Sequence, residues 1–286
     1  MARTKYLSMV FIFCSLFAFA AQKAENKTNN EHEINLEGKN TLANARMPAA
    51  AVDPWFEKIL SLNQARIGNS GQIVLVTNKA IESDQALIRT FEKKNGQWVE
   101  KFTTTAGTIG WAGFAPYTKK REGDGKTPTG VFYLGPVYGY PGVKVSTKME
   151  YWVASANDYW IDAVTSKQYN RWVTSNIAPS VSHEEMKRAD DKYKYGIAVQ
   201  YNMDQVKGKG SVITVHVLVG NKNTSGCIAV PVMKLIEIIG WLDPVKKPLI
   251  IMGTVDELDT SPVSGPALDK NDKYIWKKEQ YTPAVN

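Results

Sequence analysis

Four runs of β-branched and aromatic residues, each closed off by Gly, Asn or Pro, set the strongest constraint on how this chain can fold. They are "QIVLVTN" from Gln72, "ALIRTFEKKNGQWVEKFTTTAG" from Ala86, "GVFYL" from Gly130 and "GIAVQYN" from Gly196. Short apolar runs between turn residues read as strands. Inside the longest run, Lys94-Asn95-Gly96 marks a hairpin, since Asn-Gly suits a tight turn with positive φ. The fold class is therefore mainly β with short helices, around a mostly antiparallel sheet. Three helical pieces are expected. Asp53 as N-cap and Pro54 at the first position open one with Trp55, Phe56, Ile59 and Leu60 on its apolar face. Ser182 and Glu185 stand in capping-box spacing at the start of "SHEEMKRADDKY". Pro231 opens "PVMKLIEIIG", which Gly240 closes.

The ends of the chain differ from this middle. Arg3 and Lys5 precede the apolar run "YLSMVFIFCSLFAFA", which finishes in Ala18-Phe19-Ala20. That pattern is a secretory signal peptide over residues 1–20, too short for a membrane span. Phe11-Ile12-Phe13 ahead of Cys14 is too bulky for a lipoprotein cleavage box, so release is expected rather than anchoring. Residues 21–52 are polar, lack apolar periodicity and read as a linker containing a solvated His32. A folded domain is expected over 53–253, with a Pro- and charge-rich extension over 254–286. Loss of the leader lowers the formal charge from +7 to +5. Lys and Arg are scattered among Asp and Glu, which argues against nucleic acid as a partner. No transmembrane segment remains after the leader.

With Cys14 gone, Cys227 is the one remaining thiol, so no intramolecular disulfide can form. It lies eleven residues after His216, in "TVHVLVGNKNTSGCIAVP". Strand alternation puts Thr214, His216 and Leu218 on one face. If Gly220-Asn221-Lys222-Asn223 turns a hairpin, His216 and Cys227 fall directly opposite each other, with Cβ atoms about 5 Å apart. An imidazole there could take the thiol proton or hold a thiolate, drawing its pKa from about 8.5 toward neutrality. Ser225 and Gly226 form a small turn whose N–H groups could face an oxyanion. The residues alone leave a second reading open, a buried inert thiol beside a satisfied strand histidine.

Other sites are excluded or weaker. "GDGKTPTG" is not a phosphate loop, because position 120, where a Gly is required, is Lys120. It reads as a turn feeding a strand. His183, His216 and Cys227 are the only soft ligands near the core, and His183 falls in the first turn of the expected helix, so no metal and no cofactor are expected. Trp160, Asp162, Tyr169, Asn170, Tyr201 and Asn202 are candidates for a substrate groove, or else core aromatics and turn caps.

"HVLVGNKNTSGCIAVP", "GDGKTPTGVFYLG" and "WLDPVKKPLIIMG" together resemble the L,D-transpeptidase catalytic domain of the YkuD family, over roughly Gln72 to Gly253. In that family a Gly-Asp-Gly-x-Thr-Pro-x-Gly loop and strand precede a His and then a Ser/Thr-His-Gly-Cys segment. The resemblance implies a β-sandwich with Cys227 as nucleophile, His216 as base, Gly226 as the oxyanion turn and Thr224, Ser225, Gly226 and Cys227 as the four-residue segment. This sequence departs from the pattern at Ser225, which replaces the second His, at Val217 in place of a Gly, at Ala229 where Asn or Arg is usual, and in a shorter His–Cys gap. The branch is thus a divergent one.

As the resemblance implies, the protein acts on peptidoglycan stem peptides in the periplasm or as a secreted protein of the cell envelope. Cys227 would attack the third residue's carbonyl and pass the acyl group to an amine. Water as acceptor would make it an L,D-carboxypeptidase. A non-catalytic envelope-binding module, or less favourably a protease for ordinary proteins, are the alternatives.

Overall fold

The computed structural model describes residues 54–258 and 277–283. In chain order the strands are β1 (Gln72–Thr77), β2 (Gln85–Lys94), β3 (Gln97–Thr108), β4 (Phe114–Ala115), β5 (Thr127–Pro128), β6 (Gly130–Gly139), β7 (Tyr151–Val153), β8 (Asp158–Ile161), β9 (Trp172–Thr174), β10 (His183–Glu185), β11 (Tyr195–Val199), β12 (Thr214–Val217), β13 (Ile228–Val230), β14 (Leu249–Met252) and β15 (Glu279–Gln280). The helices are α1 (Pro54–Leu62), α2 (Gln64–Ile67), α3 (Val232–Trp241) and α4 (Val255–Leu258). The protein is mainly β with short helices, as its sequence implies.

β1 is buried at every position, and strand alternation explains how. Ile73 and Leu75 pack with Phe56 and Ile59 of α1 on one face, while Val74 and Val76 pack with Leu235, Ile238 and Ile239 of α3 on the other. Around this centre runs a nine-stranded sheet ordered β11-β12-β13-β3-β2-β1-β14-β6-β7. Most pairings are antiparallel; β1 with β14, β6 with β7 and β12 with β13 are parallel. β11 pairs with β6 as well as with β12, which closes the sheet on itself. The turn between β2 and β3 is the expected one, with Asn95 and Gly96 at φ 50° and 81°.

A second sheet, ordered β10-β8-β9-β15, stands against the closed one through aromatic rings. Trp172 meets Tyr138 at 5.3 Å and Trp152 at 5.4 Å, both edge to face. A fully buried side chain of this size stabilises by roughly 1.5–3 kcal/mol, so this cluster holds the two sheets together.

Two helix expectations are corrected. "SHEEMKRADDKY" is no helix: His183–Glu185 forms β10, paired with β8. A capping box contributes only about 1 kcal/mol, whereas pairing places Met186 at 0% exposure in the aromatic cluster. The Ser182 carbonyl instead accepts the N–H groups of Asp162 and Ala163. α3 runs through Gly240 to Trp241, with Pro231 at its N-cap position. Asp53, the leader and residues 21–52 lie outside the described residues, as does the Trp55 side chain. Among the described residues no helix is long and apolar enough to cross a membrane.

The C-terminal residues return to the second sheet, where β15 pairs parallel with β9. Next to it Lys278 Nζ donates to Asp158 Oδ1 at 2.8 Å. Asp158 is buried and also accepts from Ser155 N and Oγ, Trp172 Nε1 and Thr174 Oγ1. Burial would raise its carboxyl, yet the donors led by Lys278 and Ser155 outweigh it and hold the group below the usual carboxylate range. Asp158→Asn, which uncouples Lys278, is expected to destabilise by about 3 kcal/mol in urea unfolding. The wild-type contribution is present above the unfolded pKa of about 3.9 and is lost as pH falls through the lower folded value.

Candidate active site

His216 lies on β12, 4% exposed, with the ring of Tyr193 edge-on at 5.4 Å. Its Nδ1 sits 3.0 Å from the Val217 carbonyl. A carbonyl only accepts, so Nδ1 carries the proton and Nε2 keeps its lone pair. Burial draws the imidazole down to about 4, against the opposing pull of the Val217 carbonyl. The ring is neutral at ordinary pH.

The route from His216 to Cys227 is not the expected hairpin. β12 and β13 are parallel, with His216 opposite Ala229 and Val215 opposite Ile228. A parallel pair needs a crossover, and residues 218–227 supply it by passing over the end of β3. Thr224 N donates to Ile109 O at 3.0 Å, and Trp111 N donates to Thr224 O at 2.8 Å. Cys227 precedes Ala229 by two, so it shares the face that His216 presents. Both residues line one cleft of about 350 Å³.

Two hydroxyls, each making two backbone contacts, set the cysteine loop. Buried Thr127 donates from Oγ1 to Gly226 O at 2.8 Å and accepts Gly110 N at 2.9 Å. Thr224 Oγ1 donates to Cys227 O at 2.6 Å and accepts Gly226 N at 3.1 Å. Gly226 has φ +146°, and a Cβ there would lie 3.0 Å from Lys126 O, so Gly is required. The "GDG" turn, with Gly123 and Gly125 at φ 73° and 68°, is braced by Asp124, which accepts from Lys120 Nζ and the N–H groups of Arg121 and Lys126. It is the expected turn, and through Thr127 it also supports the cysteine.

Cys227 is held by main chain. Its thiol donates to Val212 O at 3.1 Å. Burial pushes it up to about 12, against the pull of a Thr214 backbone N–H. Of the two roles the sequence leaves open to the imidazole, these shifts favour taking the thiol proton over holding a stored thiolate. One wall of the cleft is charged: Arg188 pairs with Glu184 at 2.8 Å and with Asp190 at 3.0 Å, and Lys192 with Asp190 at 3.3 Å. Burial raises the Glu184 carboxyl despite Arg188.

Among the other residues singled out by sequence, Asp162, Thr224 and Ser225 line the cleft, and the inner oxygen of Asp162, Oδ1, is buried without a partner. Trp160, Tyr201 and Asn202 do not line it. Trp160 is fully buried and donates to Asn170; Tyr201 packs in the main core and bonds the Lys209 carbonyl; Asn202 closes the following loop on Val206 and Gly210. Tyr169 reaches the cleft only through Glu122. Sequence reasoning missed Thr127, Val212, Tyr193 and the Glu184–Arg188 wall. Only Thr127 had a signal, its place in "GDGKTPTG". Among the described residues no group of three His, Cys, Asp or Glu side chains could hold a metal ion.

The fold and site define the class as a closed, mainly β domain with a polar cleft lined by one His and one Cys. Residues 78–255 match the YkuD family model, the L,D-transpeptidase catalytic domain, and the chain belongs to that family. No curated protein matches it. Among solved structures, the helical cell shape determining protein Pgp2 from Campylobacter jejuni is similar at 18% identity with a TM-score of 0.37, covering 69% of this chain and 54% of that one. Bd1075 of Bdellovibrio bacteriovorus is similar at 15% identity with a TM-score of 0.32, covering 64% and 47%. The chain spans about half the length of each.

Thr127→Val would leave the buried Gly226 carbonyl and Gly110 N–H without that hydroxyl. It is expected to cost about 2 kcal/mol in denaturant unfolding.

Proposed function

We propose that the protein is a peptidoglycan L,D-acyltransferase of the cell envelope, using Cys227 as nucleophile and His216 as base. The observation that carries this reading is the neutral pair in one cleft, with His216 Nδ1 tied to Val217 O so that Nε2 is the free base. In the family's reaction, Cys227 Sγ attacks the carbonyl of the third, L-centred stem residue while its proton passes to Nε2. The C–N bond to the terminal D-residue then breaks, and that amine leaves with the proton from Nε2. The thioester is taken by an incoming amine, giving a cross-link or a modified stem. Water in the same role gives a tripeptide.

Because thiol and imidazole both begin neutral, proton transfer accompanies attack rather than preceding it. Thr224, Ser225 and Gly226 form the turn facing the reacting carbonyl, and Asp162 is retained as a substrate contact. Trp160, Tyr201 and Asn202 support the cleft from within the fold. A binding module without chemistry is the second reading, favoured by the thiol's bond to Val212 and by Ser225 in place of the family's second His.

Incubation with disaccharide-tetrapeptide followed by mass spectrometry tests the proposal. An acyl adduct that has lost the terminal residue is expected in wild type and absent in Cys227→Ala; a stem dimer names an amine acceptor and a tripeptide names water. Neither adduct nor product from folded protein would leave the binding module. His216→Ala is expected to slow turnover about 10²- to 10⁴-fold. Since the base works only when neutral, kcat/KM should fall with decreasing pH along an acid limb near 4 rather than near 6.5; a limb near 6.5 would remove His216 as the buried base.

A further inference from the structure

Val212 occupies the left-handed region at φ +54°, a conformation in which a β-branched residue is strained. Its carbonyl accepts the Cys227 thiol, and its N–H donates to Asn170 Oδ1 at 3.1 Å. Asn170, 1% exposed, has every hydrogen-bonding position filled. Oδ1 also accepts Trp160 Nε1 at 3.1 Å, and Nδ2 donates to Tyr201 O at 2.9 Å and Asn202 O at 3.0 Å. Tyr201 belongs to the main core and Trp160 to the aromatic cluster, so Asn170 ties Val212 to both.

We infer that Asn170 is a positioning residue for the nucleophile: by fixing Val212 in its strained conformation it holds the Val212 carbonyl against Cys227, so the resting protein keeps the thiol protonated and bonded to main chain. A carbonyl oxygen accepts from S–H and repels S⁻, so its placement decides which form of the sulfur is stable. An extended residue at 212 would aim that carbonyl elsewhere. The charged groups about the sulfur have both signs: Glu184 disfavours a thiolate, while Lys120 and Arg188 favour it. Glu122, Asp162 and Lys192 line the same cleft, and the buried rings of Tyr138, Tyr193 and His216 are neutral. The main chain supplies opposed dipoles, Val212 C=O against Thr214 N–H, and Asn170 governs the first.

For acyl transfer, on the proposed reading, the thiol must leave Val212 O before its proton can pass to His216 Nε2. The resting state is then a latch that substrate binding has to release. The test reads the thiol itself and needs no stem peptide, so a failure of the proposed reaction does not affect it. Purified full chain is treated with iodoacetamide across a pH series, and alkylation is followed at the Cys227 peptide by mass spectrometry. Wild type is expected to react slowly at about pH 8, with the rate still rising well above the ordinary thiol pKa of about 8.5. Asn170→Ala is expected to shift that profile to lower pH, with at least about tenfold faster alkylation at about pH 8.

A purely structural role would lower the unfolding midpoint and leave the profile where it is, and that result from folded Asn170→Ala overturns the inference. Val212→Gly covers a failure of the first variant to fold. It deletes no hydrogen-bonding group, frees the carbonyl to swing, and should shift the profile in the same direction; no shift counts against the inference. So does a wild-type thiol titrating at or below about 8.5.

Discussion

The place of β13 between β12 and β3 is the constraint on which this structure turns. Without it the closed sheet would open, because β12 reaches β3 only through β13. The strand is three residues long and pairs with β3 at a single position, Ala229 with Thr108. Its hold therefore comes from flanking contacts: Leu218 N to Val230 O on one side, and the Thr127 and Thr224 hydroxyls on the other. A buried hydroxyl bonded to two backbone groups is costly to remove, since each partner is left unsatisfied. The same contacts that close the sheet also locate Cys227, so closure and site geometry are one structural problem.

That coupling explains the chemistry of the pair. Both side chains stand at the wall of the cleft with most of their surroundings protein, and burial disfavours both ionised forms, thiolate and imidazolium. Each group therefore rests neutral, with a backbone carbonyl as hydrogen-bond acceptor: Val212 for sulfur and Val217 for Nδ1. A neutral pair favours attack coupled to proton transfer over storage of a ready thiolate.

Much of this was legible in the sequence, though not always for the right reason. The Asn95-Gly96 hairpin and the strands of the four runs, β1, β2, β3, β6 and β11, follow from local composition, which specifies turns and pleated, half-buried runs. His216 and Cys227 stand out both through the family resemblance and through a hairpin register, and only the register is absent from the structure, where β12 and β13 are parallel. Both line the cleft because His216 pairs with Ala229 and Cys227 stands two residues before it, which preserves the shared face. β10 was unreadable, since "SHEEMKRADDKY" has real capping-box spacing and only tertiary pairing with β8 overrides it. The Asn170–Val212 contact spans 42 residues and leaves no local pattern at all.

The cleft draws its two sides from different sheets. Cys227 and His216 belong to the closed sheet, while Glu184 and Asp162 are carried on or beside β10 and β8 of the second. Their relative position rests on the aromatic cluster and on Asp158, which collects donors from Ser155, Trp172, Thr174 and Lys278 within one buried site. Aromatic packing resists separation of the sheets but tolerates small sliding, whereas hydrogen bonds to a fixed carboxylate are directional. Lys278, one of those donors, also lies over the Trp172 ring at 4.9 Å, so residues at the end of the chain brace the second sheet where it packs on the aromatic cluster.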